Sequence, residues 1–88
     1  MSYQTQYSRK AAKRLEGLDR LTRQRMERRF DELEENPYDP RISKVLSGLE
    51  GMRSSRVGDW RVLYNIQETA KTIEIVAIRP RCEAYRRL

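Results

Sequence analysis

The 88-residue chain carries 19 Lys plus Arg against 13 Asp plus Glu, a formal charge of +6, and 36% of its residues are charged. A chain this short buries roughly 60–65% of its unfolded surface, so the length allows one domain with a modest core, spanning 1–88, and excludes two. The basic balance favours a polyanionic partner such as nucleic acid.

Cys82 is the only cysteine and there is no histidine. An intrachain disulfide, a cysteine zinc site, histidine-paired ribonuclease chemistry and a histidine metal site are thereby excluded. No metal or other cofactor is expected, Cys82 reads as incidental, and a reducing cytoplasm fits. No apolar run approaches the roughly 18 residues of a membrane span, and the opening M-S-Y-Q-T-Q-Y-S lacks the charge and apolar stretch of a signal peptide. The expectation is a soluble intracellular protein with no membrane association.

Taken in chain order, Tyr3, Thr5 and Tyr7 alternate with polar residues and predict a half-buried strand. Ser8 is placed to cap a short helix with an apolar stripe of Ala11, Ala12, Leu15 and Leu18, ending near Gly17. Asp19 is a second cap. Leu21, Met26, Phe30 and Leu33 follow at helical spacing until Asn36-Pro37 stops the run, predicting two helices in an antiparallel hairpin. Pro37, Asp39 and Pro40 mark a loop, with Val45, Leu46 and Leu49 as apolar anchors before Gly51.

From Met52 the period becomes two. Gly58-Asp59 suits a type II′ turn, which sets Val57 opposite Trp60 and Ser55 opposite Val62 toward the helices. Arg56 then lies opposite Arg61 on the other face. A last strand, Thr72 to Arg79, follows the loop Glu68 to Lys71 and ends at Pro80, which cannot extend the ladder. The fold class is α+β in the order β-α-α-β-β-β, an antiparallel-rich sheet with the helix pair on one face and the other face open, followed by a short C-terminal helix or tail.

Charge is distributed unevenly. Residues 1–35 carry nine basic and seven acidic side chains, whereas Arg79 to Leu88 carries four arginines against Glu83. Like charges directly across an antiparallel pair destabilise it by up to about 1 kcal/mol, so Arg56 facing Arg61 calls for a reason other than folding. A solvated sheet surface is one reading. An anionic ligand is the other, because guanidinium forks match phosphate oxygens and a cluster of them stabilises the transition state of RNA backbone cleavage.

Arg79, Arg81 and Tyr85 follow the last strand at spacings that would let the chain fold back over that face. An unperturbed phenol, with a pKa of about 10, is ionised in only about one molecule in a thousand at pH 7, and surrounding arginines favour the phenolate. Tyr85 is equally suited to accepting a 2′-hydroxyl proton, stacking on a base or anchoring the tail. Trp60, across from Val57 on the apolar face, reads as core rather than as a stacking platform. Glu16, Glu27, Glu34 and Glu35 sit on charged helices where pairing with arginine accounts for them.

The segments R-V-G-D-W-R-V-L-Y, I-E-I-V-A-I-R and the closing R-x-R-x-x-x-Y, with L-x-G before the hairpin, resemble RelE/ParE toxins over nearly the whole chain. RelE-type members cleave messenger RNA in the ribosomal A site, leaving a 2′,3′-cyclic phosphate; ParE-type members poison DNA gyrase. The RelE-type resemblance implies a metal-independent endoribonuclease with Arg61, Arg79 and Tyr85 as catalytic residues and Arg56 and Arg81 as phosphate contacts. Within it Tyr85 is the general base and Arg79 a proton donor or transition-state stabiliser. The second role suits arginine's pKa, above about 12, better.

Ser54 departs from the pattern, since a second basic residue is usual there; it enters the RNA-contact set as a weakened position. Arg53 should point to the other face. The resemblance also implies a cognate RelB-like antitoxin, for which an open cationic face suits an acidic segment that folds on binding. The alternatives are a ParE-type non-enzymatic gyrase inhibitor and a toxin-like fold retained as an RNA-binding module.

Overall fold

The computed structural model describes residues 3–46, 48 and 51–80. Arg81, Cys82, Tyr85, Leu49 and the expected C-terminal helix or tail lie outside them. Strand β1 (Gln4–Tyr7) sends its alternate side chains to the helices: the Thr5 hydroxyl donates to Glu34 at 2.6 Å, and the Tyr7 ring meets Phe30 at 5.7 Å between centroids.

Ser8 ends the strand and caps α1 (Arg9–Glu16), its Oγ accepting from the Ala11 N–H at 3.0 Å. After a short turn, Asp19 caps α2 (Arg20–Glu35), accepting from the Thr22 N–H at 3.1 Å and the Thr22 hydroxyl at 2.6 Å. These bonds hold the Asp19 carboxyl below its usual range. The last turn of α2 gives way at Asn36, whose side chain accepts from the Tyr38 N–H, and Pro37 is buried.

The strands then run β2 (Lys44–Val45), β3 (Met52–Val57), β4 (Trp60–Gln67) and β5 (Thr72–Pro80), in spatial order β1-β5-β4-β3-β2. Only β1 against β5 is parallel. The two-residue β2 was not expected from the sequence, which read this stretch as a loop. Its Val45 is 63% exposed rather than an anchor, because it pairs at the sheet edge beyond the reach of the helices. The β3–β4 hairpin has the expected register, Val57 opposite Trp60 and Arg56 opposite Arg61. Gly58 has φ 59° while Asp59 is not left-handed, the sign pattern of a type II′ turn.

Ala11, Leu15, Met26, Phe30 and Leu33 meet Val57, Val62, Tyr64, Ile73, Ile75 and Ile78 in a single core between the helices and one sheet face. Leu21, expected in the α2 stripe, is 59% exposed. At about 100° per residue it lies five positions, hence about 140°, from Met26 and turns to solvent. Trp60 is half-buried at the rim of the core, with the Arg14 guanidinium 5.6 Å from its ring centroid.

Two polar networks fasten the loops. Tyr64, fully buried, donates to the Pro37 carbonyl at 2.8 Å and shares a short hydrogen bond with Ser43, which also accepts from Arg53 Nε at 2.7 Å. Arg53 therefore points to the helix side, as the alternation requires, and covers the Tyr38 ring. On the surface, Glu68 accepts from Tyr3, Tyr38 and Lys71. This joins the β4–β5 turn, where Lys71 is left-handed at φ 51°, to the N-terminal segment and to the loop after α2.

These contacts set a pH dependence. Lys71 first, then Tyr38 and Tyr3, hold Glu68 down to about 2, and the hydrogen bond to Glu68 pushes Tyr38 up to about 12. A depressed carboxyl contributes stability that is present above its unfolded pKa and lost as pH falls toward the folded value. A raised phenol contributes stability that is full below about pH 10 and is lost as pH rises through its folded value. Melting temperature is therefore expected to fall from about pH 5 downward and from about pH 10 upward. Glu68→Gln should flatten both limbs in a pH series of thermal melts. Unchanged limbs would show the cluster to be energetically silent.

Candidate functional site

The face of the sheet away from the helices carries a row of three arginines. Arg56 on β3 pairs with Arg61 on β4, and Arg61 pairs with Arg79 on β5. With neighbouring strands about 4.8 Å apart, the three side chains spring from positions spanning roughly 10 Å.

The third member of the row depends on an irregularity. From the β4–β5 turn to Tyr64, which lies opposite Ile75, the register is regular; at Leu63 it shifts, and Leu63 lies opposite Ala77. Val76 is the extra residue of a β-bulge. Without it the register would put Ile78 opposite Arg61 and Arg79 opposite Trp60, on the helix side. With it, Ile73, Ile75 and Ile78 all reach the core while Ala77 and Arg79 turn to the open face.

Ser8 holds this point, donating its hydroxyl to the Val76 carbonyl at 2.7 Å and its N–H to the Ile75 carbonyl at 2.9 Å. One side chain thus serves as a helix cap and anchors the bulge.

The other strand is clamped from α2. Arg29 Nη1 donates to the Ser55 hydroxyl at 2.9 Å and to the Arg56 carbonyl at 2.6 Å, fixing β3 from beneath at the position of the first arginine. Arg56 itself is exposed and donates from Nε to the Gly58 carbonyl at 3.3 Å. Arg61 and Arg79 are half-buried. Among the described residues neither Arg56 nor Arg79 is in an ion pair with a carboxylate.

Ser54 lies on the same face but is only 3% exposed, and its Oγ accepts from Arg61 Nη1 at 3.5 Å, the long end of hydrogen bonding. Beside it, Lys44 on β2 pairs with Ser54 and is exposed. Sequence reading missed Lys44 because a two-residue strand leaves no periodic trace. The structure thus brings together Arg56, Arg61, Arg79 and Ser54, and adds Lys44. Arg81 and Tyr85 fall outside the described residues. Guanidinium forks converging on one strip of sheet can bind a phosphodiester and stabilise negative charge that develops on it.

The sequence and this fold both match known proteins. The ParE toxin family of type II toxin–antitoxin systems matches residues 5–85. Toxin RelE of Mycobacterium tuberculosis is 41% identical over 58 residues, 65% of this chain and 58% of that protein, so the match spans little more than half the relative's length.

Among solved structures, the archaeal RelE–RelB complex from Pyrococcus horikoshii OT3 contains a similar chain at 27% identity and TM-score 0.79, covering 92% of this chain and 97% of that one. The M. tuberculosis RelBE2 toxin–antitoxin complex gives 26% and 0.76, covering 92% and 100%. Isolated E. coli RelE, at 17% identity, TM-score 0.79 and 98% of both chains, shares the fold. The chain belongs to the ParE toxin family of type II toxin–antitoxin systems. No described helix is long and apolar enough to cross a membrane.

Two like-charged pairs in one row should weaken the fold at low ionic strength, each by up to about 1 kcal/mol. Raising salt from about 0.05 to 0.5 M, which shortens the screening length from more than 10 Å to less than 8 Å, is expected to stabilise the wild-type chain more than Arg56→Gln. The difference should be roughly 0.5–1 kcal/mol in urea unfolding. Equal salt responses would mean that the row carries no repulsion.

Proposed function

We propose that this toxin is an endoribonuclease that cleaves messenger RNA in the A site of the translating ribosome, and that a RelB-like antitoxin restrains it. The observation that carries the reading is the Arg56–Arg61–Arg79 row on the open sheet face. Forked donors gathered on one strip match the oxygens of a scissile phosphate.

In the proposed reaction the 2′-oxygen of one nucleotide attacks the adjacent phosphorus and the bond to the 5′-oxygen of the next breaks. The products are a 2′,3′-cyclic phosphate and a free 5′-hydroxyl. Arg61 and Arg79 stabilise the charge gathered on the phosphoryl oxygens, and Arg56 and Arg81 hold the flanking backbone. Tyr85, drawn toward phenolate by the arginines, takes the 2′-hydroxyl proton. The 5′-oxygen takes its proton from water, since a guanidinium is a poor acid. No metal is required by this scheme.

Ser54 supplies a support for Arg61 rather than a phosphate donor, and Lys44, directly across from it, supplies the neighbouring positive charge. The site of action is the cytoplasm, where ribosomes are. The relatives in RelE–RelB complexes support the antitoxin partner, and an acidic segment would neutralise the same row.

Primer extension on translating ribosomes mixed with purified protein tests this. Cleavage within the A-site codon is expected, falling about a hundredfold or more in Arg61→Ala and in Tyr85→Phe. Intact message with induced DNA damage would move the assignment to gyrase inhibition, and full cleavage by Arg61→Ala would remove the row from the chemistry.

A further inference from the structure

A second cationic feature lies on the helix side of the sheet. Helix α1 and the start of β4 enclose a shallow cleft of about 680 Å³, lined by Lys10, Lys13, Arg14 and Trp60 among others. Lys10 and Arg14 are one turn apart and share a helix face, and Arg14 lies over the Trp60 ring. None of the three cations is in an ion pair among the described residues. The carboxylate in the lining, Asp19, is engaged in capping α2.

The position of the cleft links it to the arginine row. Trp60 opens β4 opposite Pro80, which closes β5, and the next register pair is Arg61 with Arg79. The cleft and the row therefore meet at one end of the sheet, about 3.3 Å of strand apart, on opposite faces. Positive charge continues around that end. An aromatic ring beside unpaired cations is the combination that holds single-stranded nucleic acid, the ring stacking on a base and the cations tracking phosphates. An acidic polypeptide would use the lysines but not the exposed part of the tryptophan ring.

We infer that the α1–Trp60 cleft is a second RNA subsite, which takes a single-stranded nucleotide flanking the one on the arginine row, its base on the Arg14 guanidinium and the exposed part of the Trp60 ring and its backbone on Lys10 and Lys13. The inference rests on the RNA reading of the row for the identity of the ligand.

Trp60 is the only tryptophan of the chain, so its fluorescence reports this end of the sheet, and the Lys10 and Lys13 variants separate the cleft from the row. The full-length protein is titrated with a 2′-O-methyl RNA 12-mer, which lacks the attacking hydroxyl, and in parallel with inorganic polyphosphate and polyglutamate. RNA is expected to quench Trp60 emission and polyphosphate to quench it far less. Lys10→Ala/Lys13→Ala, with its circular dichroism unchanged, should bind RNA about tenfold more weakly at low salt, and the slope of log affinity against log salt should shrink by about 1.4.

Absence of quenching, or a slope unchanged in the double variant, overturns the subsite even if ribosomal cleavage is found. Equal quenching by polyphosphate overturns the stacking assignment, and quenching by polyglutamate but not RNA makes the cleft a peptide site instead. RNA quenching that depends on Lys10 and Lys13, in a protein that leaves ribosomal message intact, upholds the subsite while the cleavage reading fails.

Discussion

The candidate site depends on one extra residue in β5. The Val76 bulge divides that strand into two registers, so that Ile73, Ile75 and Ile78 can all be buried while Arg79 reaches the opposite face. A regular strand with Ile73 and Ile75 buried would meet neither demand, since Ile78 would turn to the open face and Arg79 to the core. The bulge is held by Ser8, which accepts from α1 and donates to the Val76 carbonyl, so the first helix and the third arginine are positioned by the same hydroxyl. Bulges beside functional sites commonly re-aim a side chain in this way.

The energetics follow from the two faces of the sheet. On one side a continuous apolar cluster supplies the favourable free energy of folding. On the other, like-charged arginines oppose it by up to about 1 kcal/mol per adjacent pair, which is a substantial share of a net stability of roughly 5–15 kcal/mol. The clamps offset this locally: Arg29 bonds the backbone at Arg56, and the buried Tyr64–Ser43–Arg53 network ties β4 to the loop after α2. Arg56, Arg61 and Arg79 are thus carried on strands, which suits a role that relies on fixed positive charge.

Much of this was legible in the sequence where a local rule decides the outcome. Ser8 and Asp19 cap helices because their oxygens can reach the first free N–H groups, and Gly58 permits the turn that puts Arg56 across from Arg61. What escaped depends on tertiary placement. The strand Lys44–Val45 is too short to show a period, so Lys44 was not seen as a neighbour of Ser54. Leu21 looked like part of a stripe but turns away from it. The Glu68 cluster joins residues from three separated segments. The bulge did leave a trace, because Ile75 and Ile78 are three apart and a strict period of two cannot bury both on one face.

The three-arginine row exists only if the bulge places Arg79 beside Arg61. Cross-strand backbone nuclear Overhauser effects measured on the isotope-labelled protein test it most directly. Contacts linking Arg61 with Arg79 and Val62 with Ile78 are expected. Contacts linking Arg61 with Ile78 and Trp60 with Arg79 would mean a regular strand, with Arg79 on the helix side and no three-arginine row.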